Sequence, residues 1–311
     1  MSIQKKNQFI GLFIAVILMM VVPFSVSAQQ KHKQKSKKHK TAQSKSKKAI
    51  ATFPNTKFIQ WEILEQGLYF TRLQAPRKTK IGDYKVDVLK VDPRMFDFEL
   101  NSYILHDTVE LTAPEWSAKN NYLAVINAGM YSCSRPLRPV GFMKSNEKLV
   151  NPRIKGNYNA AFVFGNKKAE CKPAMIADLG SQKDPNLYSQ YTSDLQSIRM
   201  IDCNGKPTLW KSRPYMRCSM GIIGQDKEGF IYLIFMRSPY KPNEMSLFLS
   251  KQPLGLTGLM YLEGGPETSY VINHPKLKVE RMGCYVSRSW QRDNCSEFRR
   301  IPQVIGVKRK G

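Results

Sequence analysis

The sequence predicts a single, strand-rich α+β domain with a mixed β-sheet, a few flanking helices and disulfide staples. Three observations support this fold class: short apolar or alternating segments recur along the chain, helix signals occur at only two places, and all six cysteines lie beyond residue 130. With 311 residues, 42% of them hydrophobic, the chain is long enough to bury one large core. The 29 Phe and Tyr residues and only 23% charged residues exclude collagen, coiled coil and wholesale disorder.

The first 28 residues have the organisation of a secretory signal. A start containing two lysines precedes an uncharged apolar run over residues 9–22, and the small residues Val26 and Ala28 stand before the predicted cleavage point. As a helix this run would cover about 21 Å, which is less than the ~30 Å hydrocarbon core of a bilayer. We therefore expect cleavage after Ala28 and a secreted or periplasmic protein. An uncleaved membrane anchor is the alternative.

Residues 29–52 form a low-complexity, Lys-rich segment with no aromatic or acidic residue. Such a composition cannot bury enough apolar surface to offset the entropy of ordering, so a disordered tether is predicted. Eleven lysines precede residue 51, which leaves 38 basic and 24 acidic residues, or +14 of the total +25, on the rest of the chain. The lysines of residues 31–48 fit adhesion to an anionic membrane or wall surface, and they fit a solubilising linker equally well.

The globular domain is predicted over residues 53–311, without an internal repeat or a clear linker. Its strands are predicted from alternating or short apolar runs, two of which form a hairpin. These runs are residues 84–91, 123–126, 220–223, 230–235 and 304–307.

Two helices are predicted, each followed by a strand of the buried type. The first runs to about Asn120, with Thr112 as N-cap, a proline in its first turn and Glu115 at the third helical position. The second is capped by Asn243 and runs through Gln252, where a proline and a glycine follow.

The six cysteines are even in number and, in an oxidising compartment, predict up to three disulfides. They are Cys133, Cys171, Cys203, Cys218, Cys284 and Cys295. No two have C-x-x-C spacing, so a zinc ribbon or a thioredoxin-type centre has little support. The sequence suggests one specific pair, Cys284–Cys295, which would close a polar loop.

Polar turns follow the two strands that come after the predicted helices. The first reads INAGMY (126–131) and the second YLEGGPETS (261–269). Glycines beside an amide and a carboxylate let a substrate approach the backbone and leave N–H groups for anions or hydroxyls. From the residues alone, a ligand site and a tight turn with a solvated Glu263 are equally consistent.

Four segments together resemble the phosphodiester glycosidase family. They are INAGMY (126–131), RCSMGI (217–222), YLEGGPETS (261–269) and PQVIGV (302–307), and their order and spacing fit that family over residues 60–307. The chain departs from the family pattern where Ala128 replaces a glycine, Glu263 replaces the usual aspartate and Pro266-Glu267 replaces Gly-Ser. The resemblance implies hydrolysis at a sugar anomeric centre with a phosphate-bearing leaving group.

The resemblance also implies roles for individual residues. Glu263 stands at the family's aspartate position and is the first catalytic carboxylate. Glycoside cleavage uses two carboxyl groups, and Glu267, which the family pattern does not mark, is the second by proximity. Arg217 is expected to hold the phosphodiester, because its planar guanidinium matches two phosphate oxygens. The other predicted substrate-binding residues offer amide, hydroxyl or backbone N–H groups: Asn127, Gly129, Ser219, Gly264, Gly265, Thr268 and Ser269. A structural ion pair for Arg217 and a turn-forming role for Asn127 stay open.

The domain has few of the residues that other hydrolytic mechanisms require. His106 and His274 are the only histidines of the domain and no G-x-S-x-G elbow is present, so neither a Ser-His-Asp triad nor a multi-histidine zinc site is expected. No cofactor is predicted, although Asp and Glu oxygens leave calcium or magnesium open. The basic surplus fits a phosphate-linked or anionic glycan as partner, and no motif points to nucleic acid.

The sequence thus predicts an exported glycoside hydrolase that cleaves a sugar from a phosphodiester-linked or anionic glycan. The alternative is a non-catalytic module of the same fold that binds an anionic polysaccharide of the cell envelope. A third hypothesis is a nucleic-acid or wall-surface binder that works mainly through residues 31–48.

Overall fold

The computed structural model of the chain describes residues 58–105, 109–132, 135–212 and 215–311. The predicted signal and tether lie outside these residues, as do His106 and Cys133. The described residues form sixteen β-strands, two α-helices and two short 3-10 helices. The strand-rich prediction is confirmed, but the fold is mainly β and the α+β label fits it only loosely.

The elements follow one another in a long series of strands with few interruptions. The strands are β1 (Glu62–Glu65), β2 (Leu68–Gln74), β3 (Lys85–Val91), β4 (Phe96–Ser102), β5 (Ala124–Asn127), β6 (Met143–Ser145), β7 (Lys148–Asn151), β8 (Ala160–Asn166), β9 (Ala174–Asp178), β10 (Tyr191–Ile201), β11 (Cys218–Asp226), β12 (Ile231–Tyr240), β13 (Leu256–Gly264), β14 (Ser269–His274), β15 (Leu277–Met282) and β16 (Gln303–Arg309). The helices are α1 (Ala113–Asn120) and α2 (Pro242–Leu249), and the 3-10 helices are Tyr103–Leu105 and Leu187–Ser189.

The strands form two sheets. The large sheet has the order β1-β2-β3-β12-β11-β13-β10-β6-β7, with β8 paired to β10 and β9 to β8, and the small sheet has the order β15-β14-β5-β16-β4. Every strand pair in the described residues is antiparallel, so the predicted mixed sheet is wrong. Antiparallel neighbours can be joined by tight turns and need no helical crossover, which explains why so few helices accompany the strands.

The two sheets share a core. Its largest cluster contains apolar side chains from both sheets, including Phe98 and Ile305 of the small sheet and Leu89 of the large one. Phe235 of β12 and Tyr270 of β14 stack across the interface with ring centroids 5.8 Å apart. The sheets therefore pack against each other, and loops from both can reach one site.

The predicted strands are present. The predicted hairpin is β11 and β12, in which Ile222 pairs with Ile234. The predicted last strand is β16, which lies between β5 and β4 within the small sheet.

Helix α1 begins as predicted, whereas α2 begins differently. Thr112 caps α1 and forms the predicted capping box with Glu115. In α2 the N-cap is Lys241 and not Asn243, because Pro242 occupies the first helical position, where its missing N–H costs no hydrogen bond. The Asn243 amide instead holds the backbone of Trp210, with bonds of 2.7 and 3.0 Å. The helix ends at Leu249, three residues before the predicted end.

The predicted Cys284–Cys295 disulfide is present, with a Cα–Cα distance of 5.6 Å. The sequence allowed up to three disulfides, and this pair is the one present in the described part of the chain, where Cys171, Cys203 and Cys218 are free. Burial raises the pKa of the Cys218 thiol to about 12, so this residue is an unreactive core side chain.

Candidate active site

Asn127 and Glu263 come together although they end strands of different sheets. Asn127 is the last residue of β5, and Glu263 is the penultimate residue of β13. Glu263 is paired with Gly221 of β11, and a Cβ added to Gly221 would lie 2.8 Å from the Asn127 Oδ1. The glycine therefore lets an amide from the small sheet approach the strand beside Glu263.

The two predicted turns are joined by two hydrogen bonds. The Tyr131 N–H donates to Oε2 of Glu263 at 2.9 Å, and the Ser269 N–H donates to Oδ1 of Asn127 at 3.1 Å. Each bond connects the turn after one strand with the end of the other strand. The INAGMY and YLEGGPETS segments therefore form one site.

Glycine is required at one position in each of these turns. Gly129 has a φ of +70° and Gly265 a φ of +85°, values that L side chains rarely adopt. A Cβ on Gly264 would collide with the Tyr261 hydroxyl and would lie 2.7 Å from the Cys218 Sγ. The close packing under Gly264 fixes the backbone that carries Glu263.

The Glu263 carboxyl is enclosed by protein groups. Its Oε1 accepts a hydrogen bond from the Gly264 N–H at 2.8 Å, and its Oε2 accepts the bond from Tyr131. These bonds favour the ionised form, but burial opposes them more strongly and raises the pKa of Glu263 to about 8, with the charge of Glu267 adding to the rise. At neutral pH most of this carboxyl is protonated, which is the state that a general acid needs.

Glu267 has a charged partner that the sequence analysis missed. The Arg299 Nη1 lies 2.7 Å from the Glu267 Oε1, and the Arg299 guanidinium lies over the Trp290 ring at 4.7 Å. The two carboxyls of the turn thus differ in environment: Glu267 has an ion pair, whereas the partners of Glu263 among the described residues are backbone amides. The signal for Arg299 was its position just before the PQVIGV segment, in a pair with Arg300.

The three predicted hydroxyl residues are fully buried and bonded within the protein. Ser219 donates to the Arg237 carbonyl at 2.5 Å and accepts the N–H groups of Cys284 and Tyr285. Thr268 donates to the Glu263 carbonyl at 3.1 Å, and Ser269 to the Glu267 carbonyl at 3.3 Å. These hydroxyls hold the site's backbone in place.

Arg217 reaches the site through its backbone. Its N–H donates to the Ser287 Oγ at 3.0 Å, and its carbonyl accepts the Ser287 N–H at 2.8 Å. Val286, one residue earlier, lies 3.4 Å from where a Cβ on Gly265 would stand. Among the described residues no hydrogen bond or ion pair joins the Arg217 guanidinium to Asn127 or Glu263. Arg217 also has no carboxylate partner among the described residues, so the structural ion pair considered for it is absent there.

Two buried amide atoms beside these turns make no hydrogen bond of ordinary geometry among the described residues: Asn127 Nδ2, which has the Tyr131 hydroxyl as its neighbour, and Gln303 Oε1. Both residues are 0% exposed. The orientation of each amide is set by its other atom, since Asn127 Oδ1 accepts from Ser269 and Gln303 Nε2 donates to the Ala128 carbonyl at 3.1 Å. An unpaired buried donor or acceptor costs free energy, and a bound water is the usual way in which such a group is satisfied. Sequence analysis missed Gln303, although it lies in the PQVIGV segment.

The comparisons with known proteins identify the family and the fold. A family model described as Phosphodiester glycosidase matches residues 120–308, which is more than half of the chain. The chain belongs to the phosphodiester glycosidase family. The resemblance inferred from the four sequence segments is therefore confirmed.

Two solved structures show the same fold at low identity. One is the catalytic domain of zebrafish N-acetylglucosamine-1-phosphodiester alpha-N-acetylglucosaminidase auto-inhibited by its pro-peptide, with a TM-score of 0.55, 15% identity and coverage of 83% of this chain and 85% of that chain. The other is a hypothetical protein from Synechocystis, with a TM-score of 0.54, 13% identity and coverage of 82% and 64%. Among the curated proteins no match is found.

One departure from the phosphodiester glycosidase pattern has a simple structural basis. Ala128 stands where the family has a glycine, but it is fully buried and is not among the residues with positive φ. Alanine therefore fits at this position, whereas the following Gly129 needs its left-handed backbone.

The tyrosines near the four segments, and the histidine His274, are mostly core residues. Tyr131, Tyr158, Tyr261 and Tyr270 are buried, whereas Tyr215 is 74% exposed. His274 is buried, accepts the Lys276 N–H at its Nδ1 and lies 3.4 Å from a Glu65 oxygen, which is a structural role. In the described part of the chain no group of three or more His, Cys, Asp or Glu residues could hold a metal ion.

Proposed function

We propose that this phosphodiester glycosidase family member is an exported glycoside hydrolase that releases a sugar from a phosphodiester-linked or anionic glycan. The observation that carries the proposal is the Glu263 carboxyl, which is held by two backbone N–H groups, has a pKa of about 8 and lies in one turn with Glu267. The family match and the fold shared with the zebrafish enzyme support hydrolysis.

The reaction breaks the bond between the anomeric carbon and the phosphate oxygen. Water supplies a hydroxyl to the carbon, and the departing phosphate takes up a proton. Glu263 is the proposed acid that donates this proton, and Glu267, charged beside Arg299, is the proposed base or nucleophile on the sugar. Because phosphate departs as a stabilised anion, proton transfer from Glu263 needs to supply only part of the rate enhancement.

The stereochemistry of the product distinguishes the two roles of Glu267. A nucleophile gives a retained anomer and a base gives an inverted one, corresponding to carboxyl separations of about 5–5.5 Å and about 6.5–9.5 Å. NMR of the first anomer released assigns the role.

Substrate binding is assigned to the polar groups that the protein leaves unpaired. We assign the phosphate to Arg217, and polar groups of the sugar to Asn127 Nδ2 and Gln303 Oε1. Gly264 and Gly265 allow close approach to the backbone. The buried hydroxyls of the site act on the substrate indirectly, by fixing these turns.

Sugar release from a panel of sugar 1-phosphate methyl diesters tests the proposal. We expect Glu263→Gln to lower kcat/KM by about 10²-fold or more, which is the usual contribution of an acid catalyst. The matched control is Glu228→Gln, an exposed carboxylate in the turn at the other end of β11, which should leave the rate unchanged. Full activity of Glu263→Gln would contradict the site assignment. Binding of an anionic polysaccharide without any turnover by the native protein would favour the non-catalytic alternative.

Export is part of the proposal and rests on residues 1–28. In the described part of the chain no helix has the length and apolar character needed to cross a bilayer. We expect the mature protein recovered from a native host to begin at Gln29, which its intact mass would show. A mature protein that retains residues 1–28 would indicate the membrane anchor instead.

A further inference from the structure

The arginines of the described chain fall into two groups. Ten form an ion pair with a carboxylate: Arg72, Arg77, Arg94, Arg135, Arg199, Arg237, Arg281, Arg299, Arg300 and Arg309. Five form none with any described carboxylate: Arg138, Arg153, Arg217, Arg288 and Arg292. Four of these five are exposed and Arg217 is half-buried. All five lie on loops that are bonded to the turns around Glu263.

Arg138 lies on the loop that begins at Tyr131. Its carbonyl accepts the Ser132 N–H at 2.8 Å, and Ser132 follows Tyr131, whose N–H binds Glu263. Arg138 is therefore linked to the Glu263 carboxyl through the backbone of Ser132 and Tyr131.

Arg153 is tied to the same loop through Asn151. The Arg153 N–H donates to the Asn151 Oδ1 at 3.0 Å, and the Asn151 Nδ2 donates to the Pro139 carbonyl at 2.8 Å. Pro139 follows Arg138, so the two arginines share one side of the site. We call Arg138 and Arg153 the Tyr131 flank.

Arg217 and Arg288 lie on the opposite turn of the site, beside Gly265. Arg217 exchanges two hydrogen bonds with Ser287, the residue just before Arg288. Val286, just before Ser287, is the neighbour of Gly265. These contacts place two unpaired guanidinium groups on adjacent backbones.

Arg292 belongs to the same loop, which the Cys284–Cys295 disulfide closes. Val286 and Trp290 exchange backbone hydrogen bonds of 2.9 and 2.8 Å, which fold this loop back on itself. The Arg292 guanidinium lies over the Trp290 ring at 5.6 Å, and the same ring is in contact with Arg299, the partner of Glu267. We call Arg217, Arg288 and Arg292 the disulfide flank.

We propose that the Tyr131 flank and the disulfide flank bind a polymeric glycan whose phosphodiesters recur on both sides of the bond that is cleaved. The proposal rests on the proposed function for the cleavage itself and adds the class of substrate. A guanidinium without a carboxylate partner keeps its donors for phosphate oxygens, and like charges lining a site raise the local concentration of a polyanion. A single terminal phosphodiester would need Arg217 alone, whereas unpaired arginines on both flanks suit a chain that passes over Glu263.

Binding of a phosphodiester polymer tests this proposal without requiring turnover. The probes are glycerol phosphate and a long poly(glycerol phosphate) chain, measured by calorimetry with the full chain carrying Glu263→Gln. We expect the polymer to bind far more tightly per molecule than the monomer, with an affinity that falls steeply with salt. The double variants Arg138→Gln/Arg153→Gln and Arg288→Gln/Arg292→Gln should each weaken polymer binding about tenfold or more. Each double variant should also reduce the steepness of the plot of log binding constant against log salt concentration by roughly 1.4, that is roughly 0.7 for each lost arginine–phosphate contact.

The matched control is Lys172→Gln/Lys227→Gln, which removes two exposed, unpaired charges, one of them in the turn at the far end of β11. It should leave both the affinity and the slope unchanged. An equal loss in this control, or a loss from only one of the two flanks, would overturn the proposal. Normal sugar release with no preference for the polymer would overturn it while leaving the hydrolase intact. Length-dependent binding that needs both flanks, with no sugar release from any diester, would overturn the hydrolase and leave the two-flank site.

Discussion

Among the single residues of the site, Glu263 is the one whose carboxyl folding transfers to surroundings that disfavour its ionised form. Glu263 is half-buried and has no cationic partner among the described residues, so desolvation on folding raises its pKa from the ordinary 4.5 to about 8. A carboxyl with such a pKa is protonated at neutral pH, as the proposed proton donor must be. The same property makes the stability of the fold depend on pH.

The pH dependence of stability therefore has a defined sign. Between about pH 4.5 and about pH 8 the folded protein holds a proton on Glu263 that the unfolded chain has released, so the free energy of unfolding falls as pH rises through this window. Glu263→Gln removes the titrating group. We expect the Tm of the native protein, relative to that of Glu263→Gln, to fall on going from pH 5 to pH 9, by ~2–4 °C for each kcal/mol lost. Parallel Tm curves would show that Glu263 has an ordinary pKa.

In the proposed reaction Arg299 acts through Glu267, whose carboxylate it holds in an ion pair. We expect Arg299→Met to lower kcat by about tenfold or more with a smaller change in KM, because Glu267 loses the partner at 2.7 Å that fixes its carboxylate. Arg299→Lys should restore part of kcat, since it keeps the positive charge but loses the planar pair of N–H donors of the guanidinium. Steady-state kinetics on one sugar phosphodiester checks this. Equal loss in both variants, accompanied by a lower Tm, would indicate a purely structural role.

Sequence analysis found part of the site and missed the rest for one physical reason. Asn127 and Glu263 were found because each ends an apolar run with a polar residue beside glycines. Arg299 and Gln303 were missed because their roles depend on contacts with residues far away in the chain, and no local pattern records such contacts. The buried bonding of Ser219 was hidden for the same reason, since its partners lie beyond residue 236.

Among the helices and strands, the sequence predicted correctly those features that depend on residues close together in the chain. The capping box of α1 and the hairpin of β11 and β12 depend on residues close in sequence, and both are present. The start of α2 was predicted two residues too late relative to its actual N-cap, because Asn243 is a good cap in isolation but here binds the backbone of Trp210. A distant partner thus overrode a local preference.

The loop closed by the Cys284–Cys295 disulfide gives a prediction at this scale. Replacing both cysteines by serine should lower the free energy of unfolding by about 3 kcal/mol. Without the disulfide the unfolded chain regains the entropy that closure of a loop of this length had removed. Urea denaturation measures the loss. The control is Cys171→Ser, a free cysteine, which should stay within about 0.5 kcal/mol of the native protein. A disulfide variant as stable as this control would mean that the loop is held by its other contacts alone.

At the scale of the whole molecule, the two sheets explain why the site exists. Asn127 and Gln303 come from the small sheet and Glu263 from the large one, so the site forms only when the sheets pack. Composition and periodicity predicted a strand-rich domain, but they could not reveal that every described pair is antiparallel. Sheet partners such as β16 with β4 and β5 are separated by more than a hundred residues, and the pairing is decided by the packed core.

In the proposed reaction, this site breaks the bond between a sugar carbon and a phosphate oxygen by proton donation from Glu263. Hydrolysis of a sugar 1-phosphate diester in water labelled with heavy oxygen tests it most directly, with mass spectrometry of both products. We expect the label to enter the sugar and not the phosphate, and Glu263→Gln to lower the rate of its incorporation by about 10²-fold or more. Label in the phosphate, or undiminished incorporation by Glu263→Gln, would contradict it.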